Sequence, residues 1–141
     1  TSDAPYVVQR LGMRRAKQGA DAWRSLLESG ATIVNGTDVP VDRIDPIACY
    51  YAAVTRKLDN DVTFFEEQCM SREEALRTYT RDPAWGAFEE DVKGSLTPGK
   101  LADIVVLSQD ILTVPVQQIR DTRVLMTFIG GQLRYDVEAN E

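Results

Sequence analysis

A short β-rich run ending in a polar corner constrains this chain more than any other stretch. It reads Ala31-Thr32-Ile33-Val34-Asn35-Gly36-Thr37-Asp38-Val39-Pro40-Val41. Apolar and β-branched residues lead it, which predicts a strand over residues 31–37. Turn formers follow, and Pro40 removes a backbone donor that further pairing would need. A strand that delivers a carboxylate at its C-terminal tip is how parallel α/β barrels present chemistry. Asp38 is therefore the candidate functional residue. Histidines, the usual companions of such a carboxylate at a metal, are absent from all 141 residues.

The flanks predict helices on either side. Residues 11–17 are a short helical candidate. Over residues 19–29, Trp23, Leu26 and Leu27 fall at i, i+3 and i+4, and Gly30 stands where a helix ends in positive φ. Asp45-Pro46 predicts a carboxylate N-cap with proline at the first helical position. Ile47, Tyr50, Tyr51, Val54 and Leu58 then repeat at helical spacing, with Arg56 and Lys57 in the last turn. Ser71-Arg72-Glu73-Glu74 is a capping box for a helix to about residue 80, and Asp82-Pro83 predicts a cap for another holding Trp85 and Phe88. The helical spacing of Tyr50, Tyr51 and Trp85 predicts core aromatics. Between these helices, Phe64-Phe65 is expected to pin an irregular loop to the body.

Near Glu89 the period changes. Residues 102–107 predict a buried strand, with Asp103 bonding backbone N–H groups at its start. Residues 123–129 and 132–135 predict a hairpin around Gly130-Gly131 in a primed turn, and residues 136–141 a frayed end. Helix, strand and helix up to about residue 90, then antiparallel strands, place the chain in the α/β class.

Bulk properties exclude some functions. A net charge of -6 is the wrong sign for a phosphate backbone or an anionic membrane. No apolar run approaches the ~20 residues that span a bilayer. The start, Thr-Ser-Asp-Ala-Pro, has neither the basic region nor the apolar region of a secretory signal, and it lacks an initiator Met, as expected of a chain cut from a longer one. Cys49 and Cys69 form no CxxC pair, which predicts two reduced, partly buried thiols and a cytoplasmic protein.

Several separated phrases then resemble one family. Asn35-Gly36-Thr37-Asp38-Val39-Pro40-Val41 is similar to the Gly-Ser-Asp-(Trp/Tyr)-Pro-Val signature of amidohydrolases, more narrowly the family-3 amidohydrolases related to N-substituted formamide deformylase. Thr37 stands in place of the usual Ser, and Val39 in place of an aromatic. Lys93-Gly94-Ser95-Leu96-Thr97-Pro98-Gly99-Lys100-Leu101-Ala102-Asp103-Ile104-Val105-Val106-Leu107 resembles the phrase with which that family returns to its β-sandwich. Residues 51–56, 71–80 and 122–125 and the Gly130-Gly131 hairpin follow in family order.

The resemblance implies a C-terminal fragment of a (β/α)8 (TIM) barrel over residues 1–90, followed by strands of a small composite β-sandwich over 91–141. It implies a divalent metal, zinc, in the intact parent and none in this chain alone. Asp38 would be metal ligand and general base, acting on a small amide-type substrate. The partner it implies is the N-terminal part of the barrel; without it, the apolar faces meant for that part predict self-association as a homo-oligomer. The alternative is a non-catalytic structural or assembly module that retains this segment of the fold, with Asp38 simply closing an Asx turn.

Overall fold

The computed structural model describes residues 3–58 and 60–140. The helical half contains α1 (Ala4–Leu11), α2 (Met13–Gly19), α3 (Trp23–Glu28), α4 (Pro46–Thr55), α5 (Arg72–Tyr79) and α6 (Arg81–Gly86). The β half contains β1 (Ile104–Leu107), β2 (Val124–Ile129) and β3 (Gln132–Asp136), an antiparallel sheet in the order β1-β2-β3. Short 3-10 segments lie at Glu66–Gln68, Val116–Asp121 and Glu138–Asn140, so the expected frayed end holds a turn as far as it is described.

Local signals in the chain produce most of the element ends. The Asp45 carboxylate accepts from the Ala48 N–H at 2.9 Å, and Pro46 opens α4. Ser71 and Glu74 close a reciprocal capping box: the Ser71 hydroxyl takes the Glu74 N–H, and the Glu74 carboxylate takes the Ser71 N–H. At the end of α3, Gly30 has φ +86 and donates to the Leu27 carbonyl, while Ala31 donates to the Leu26 carbonyl. That pair of bonds is a Schellman motif, and only a residue at ease with positive φ allows it. In the β half, Gly130 and Gly131 both have positive φ, as a primed hairpin turn requires.

Other expectations are corrected. Residues 31–37 do not form a strand; among the described residues none precedes Ile104. The segment's N–H groups find no ladder; beyond the α3 cap its backbone is tied to the body by Asn35 N–H to the Thr78 carbonyl, 3.0 Å, and Ile33 packs on the core. A strand exists only beside another strand, and the described residues supply none here. Helix α4 stops at Thr55 rather than reaching Leu58, because Arg56 turns left-handed at φ +56. The chain then doubles back, with Phe64 N–H on the Arg56 carbonyl and Leu58 N–H on the Val62 carbonyl. Thr80, not Asp82, occupies the cap position of α6; Asp82 is buried in the first turn with Arg77 at 3.4 Å. Trp85 and Phe88 are surface residues, the latter 93% exposed, since the buried positions of α6 are Asp82 and Ala84. Strand β1 is not the buried strand expected: Ile104 and Leu107 are half-buried, and the adjacent Val105 and Val106, which point to opposite faces, are exposed.

One small core joins the two halves. Tyr50 and Ala53 of α4, Met70, Ala75 of α5, Ile111 and Ile119 are buried together, with Trp23, Leu27 and Leu107 packed against them. Tyr50 is core as expected, and its hydroxyl donates to the Arg72 carbonyl at 3.2 Å. Arg72 in turn reaches the Ile111 carbonyl at 3.0 Å, tying α5 to the segment after β1. Phe64 is buried, as expected of the loop it pins. The accessible surface is 9646 Å², whereas a compact monomer of 15.8 kDa exposes about 7,300 Å².

A carboxylate at a turn and the cleft beneath it

The candidate site is built from the end of α3 forward. Its Schellman cap turns the chain into residues 31–37, and the Thr78 carbonyl at the C-terminal end of α5 holds that segment at Asn35. Asn35 Oδ1 accepts from the Gly36 N–H at 2.9 Å, which starts the corner. Asp38 completes it at φ +56, a conformation Asp tolerates better than most residues. Its carbonyl accepts the Val41 N–H at 2.9 Å and the Asp42 N–H at 3.3 Å, so the backbone is locked on both sides of the side chain.

The Asp38 side chain is exposed and has no hydrogen bond or ion pair among the described residues. An ionised carboxylate only accepts, and its oxygens are hard donors suited to a divalent cation. No group of three or more His, Cys, Asp and Glu side chains among the described residues is placed to hold one. Asp38 is thus one oxygen donor of suitable chemistry, and the described residues bring no group of three together around a metal.

Behind the corner lies a cleft of about 290 Å³ whose walls include Ile33, Asn35, Cys49, Arg56 and Met70; Asp38 is not among its lining residues. Arg56 is the feature that sequence reasoning missed. Its guanidinium is buried, stacked over the Phe64 ring at 5.2 Å, with Nε donating to the Phe64 carbonyl at 2.9 Å. Its Nη2 has no partner among the described residues, and desolvation lowers its pKa, with Asp21 opposing the shift. No sequence signal marks this role, because it depends on a left-handed turn after α4. Cys49 and Cys69 are free and partly buried, and burial pushes the Cys69 thiol up. Tyr79 Oη is buried without a hydrogen-bond partner among the described residues, and burial first, then Cys49, raises its pKa. Asp103 accepts the Gly130 N–H at 2.8 Å, the structural role expected of it.

A second concavity, apolar and of about 1050 Å³, runs between α5–α6 and the sheet, with Leu76, Pro83, Leu96, Ile104 and Phe128 on its walls. It contains no cluster of ionisable groups suited to catalysis.

The class the fold defines is a small α/β chain, with a corner carboxylate unpaired among the described residues and a three-stranded antiparallel sheet. Comparison with known proteins narrows it. A profile of the amidohydrolase family matches residues 1–135. The chain belongs to the amidohydrolase family. It is 33% identical over 138 residues to YtcJ of Bacillus subtilis (strain 168), an amidohydrolase by name, covering 96% of this chain and 26% of that protein. It is 30% identical over 113 residues to N-substituted formamide deformylase of Arthrobacter pascens, covering 80% of this chain and 21% of that protein. Among solved structures, an uncharacterized metal-dependent hydrolase from Pyrococcus horikoshii OT3 superposes with a TM-score of 0.68 at 30% identity, over 82% of this chain and 24% of that one. The chain therefore spans about a quarter of the length of the relatives it matches. No described helix is long and apolar enough to cross a membrane.

Proposed function

We propose that this chain is the C-terminal portion of a metal-dependent amidohydrolase acting on non-peptide C–N bonds of small amides, formamides or imides. In this reading residues 1–90 carry the last βα unit and C-terminal helices of a (β/α)8 barrel, and residues 91–141 carry strands of a composite sandwich. The observation that carries the proposal is the Asp38 carboxylate. It stands unpaired among the described residues, on a corner whose backbone is fixed at Asn35 and at Val41. The similarity to N-substituted formamide deformylase supports the substrate class.

A divalent cation, zinc in this reading, supplies Lewis-acid activation of water when bound. Asp38 would hold it through its carboxylate. The same carboxylate accepts the proton of the attacking water, because an ionised Asp has acceptor sites to spare and no donor to compete. The remaining ligands come from polypeptide outside the described residues, so the segment alone is inactive. Its excess surface supports that reading: roughly 2,300 Å² beyond a compact monomer is the scale of a permanent interface. Two free thiols support a cytoplasmic location.

The test uses the full-length polypeptide that carries this segment, assayed on N-substituted formamides and cyclic imides with metal content measured in parallel. Asp38→Asn is expected to lower kcat by on the order of 10²-fold or more. Hydrolysis unchanged by Asp38→Asn overturns the assignment, and a full-length protein that binds no metal supports the non-catalytic module instead.

A further inference from the structure

Ile33 packs the segment that leads to Asp38 onto the core, and two contacts from the α5–α6 pair hold the residues that follow. One is the Thr78 carbonyl, which accepts the Asn35 N–H at 3.0 Å. Thr78 is fully buried and its hydroxyl donates to the Ala75 carbonyl at 2.7 Å, so the end of α5 is itself fixed. The other is Gly86, the last residue of α6. A Cβ built on Gly86 would stand 3.2 Å from Cγ2 of Val34, closer than side-chain carbons ordinarily approach. The helix would accept alanine there, because Gly86 does not have positive φ and alanine is the better helix former. Close approach by Val34 is the one local demand on this glycine.

Residues 34 and 35 are four and three positions before Asp38. The backbone between them is short and its far end is closed by the Asp38–Val41 bond. Val34 is half exposed but adjoins Asn35, so a displacement of Val34 by a few tenths of an ångström acts on the hydrogen bond to Thr78 that sets the start of the corner.

We propose that Gly86 is a positioning residue for Asp38: its missing side chain seats Val34, and with the Thr78 carbonyl it sets where the corner carboxylate stands. This rests on the reading of Asp38 as a metal ligand. Sites that bind metals require their ligands within about 0.5 Å of the productive geometry, so a push through Val34 is felt as lost affinity.

The experiment uses the full-length protein, stripped of metal and titrated with cobalt(II), with affinity and the visible absorption band as readouts and a thermal melt on each apo variant. Gly86→Ala is expected to weaken cobalt binding roughly three- to tenfold and to shift the band, with the apo melt little changed. Val34→Ala alone loses the seat but keeps the Asn35–Thr78 bond, so it is expected to weaken binding less than Gly86→Ala does, and Gly86→Ala/Val34→Ala is expected to return to the Val34→Ala level, since the clash has been removed from the other side. A silent Gly86→Ala overturns the proposal, as does a loss that persists undiminished in the double variant. If Gly86→Ala alone yields no soluble protein, recovery of cobalt-binding protein by the pair supports the proposal, and failure to recover overturns it. Asp38→Asn in the same series separates the two layers: unchanged cobalt affinity overturns the ligand reading and the positioning with it, whereas a normal loss there beside a silent Gly86→Ala overturns the positioning alone.

Discussion

Arg24 of α3 grips Glu74 of α5 with both terminal guanidinium nitrogens, at 2.8 Å from Nη1 to Oε1 and 2.5 Å from Nη2 to Oε2. The same guanidinium donates to the Cys69 carbonyl, and the same carboxylate closes the capping box on the Ser71 N–H. One residue pair thus joins the helix before the corner to the helix that holds Asn35. Bidentate geometry and partial burial make it stronger than an ordinary surface ion pair.

The Arg24 hydrogen bonds hold the Glu74 carboxyl down at about 2, below its ordinary value of 4.5. A carboxyl whose pKa is depressed on folding adds stability that is complete above the unfolded value. That stability is lost as pH falls from about 4.5 toward 2. Glu74→Gln is expected to remove about 1–2 kcal/mol at neutral pH, discounted for solvent screening, and to flatten stability across that acid window. Urea melts of both proteins at pH 7 and pH 3 check it; equal losses at the two pH values would contradict the linkage.

Ile119 is fully buried against Tyr50 and Met70, in a core with few other members. Ile119→Ala is expected to cost about 2–4 kcal/mol through lost transfer energy and the cavity left behind. Chemical denaturation measures it. A cost under 1 kcal/mol would mean that the site collapses around the gap.

The hairpin depends on Gly130 at φ +57 and on the Asp103 carboxylate that takes its N–H. Asp103→Ala is expected to lose about 0.5–1.5 kcal/mol. Amide exchange should then quicken at Gly130 and along the β1–β2 pairing while α4 and α5 stay protected.

By themselves, the 141 residues leave Leu96, Val105, Leu133 and Phe88 exposed, the first two on the wall of the apolar trough. The expected behaviour is dye binding and concentration-dependent association, as judged by light scattering during size-exclusion chromatography. A cooperative monomer that binds no dye would show that the surface needs no cover.

The elements legible in the residues share one property: their hydrogen bonds close within three to five positions. The Asp45 cap, the Ser71–Glu74 box, the Gly30 Schellman motif and the Gly130-Gly131 turn are all of this kind. The corner at Asp38 was legible for the same reason, since Asn35, Gly36 and Asp38 are turn formers whatever surrounds them. The expected strand at 31–37 failed on the opposite ground. Its propensity is real, but a ladder needs a neighbour that no local pattern supplies. Trp85 likewise carried a core-like spacing onto a face left open.

By itself, then, the order of residues determined the caps, the turns, the helices' approximate extents and the family. Tertiary structure alone decided that Arg24 meets a carboxylate 50 positions away, that Arg56 folds inward over Phe64, and that Gly86 lies under Val34. Such contacts depend on how helices are set against one another. That setting is a balance of packing over the whole chain, which no window of a few residues contains.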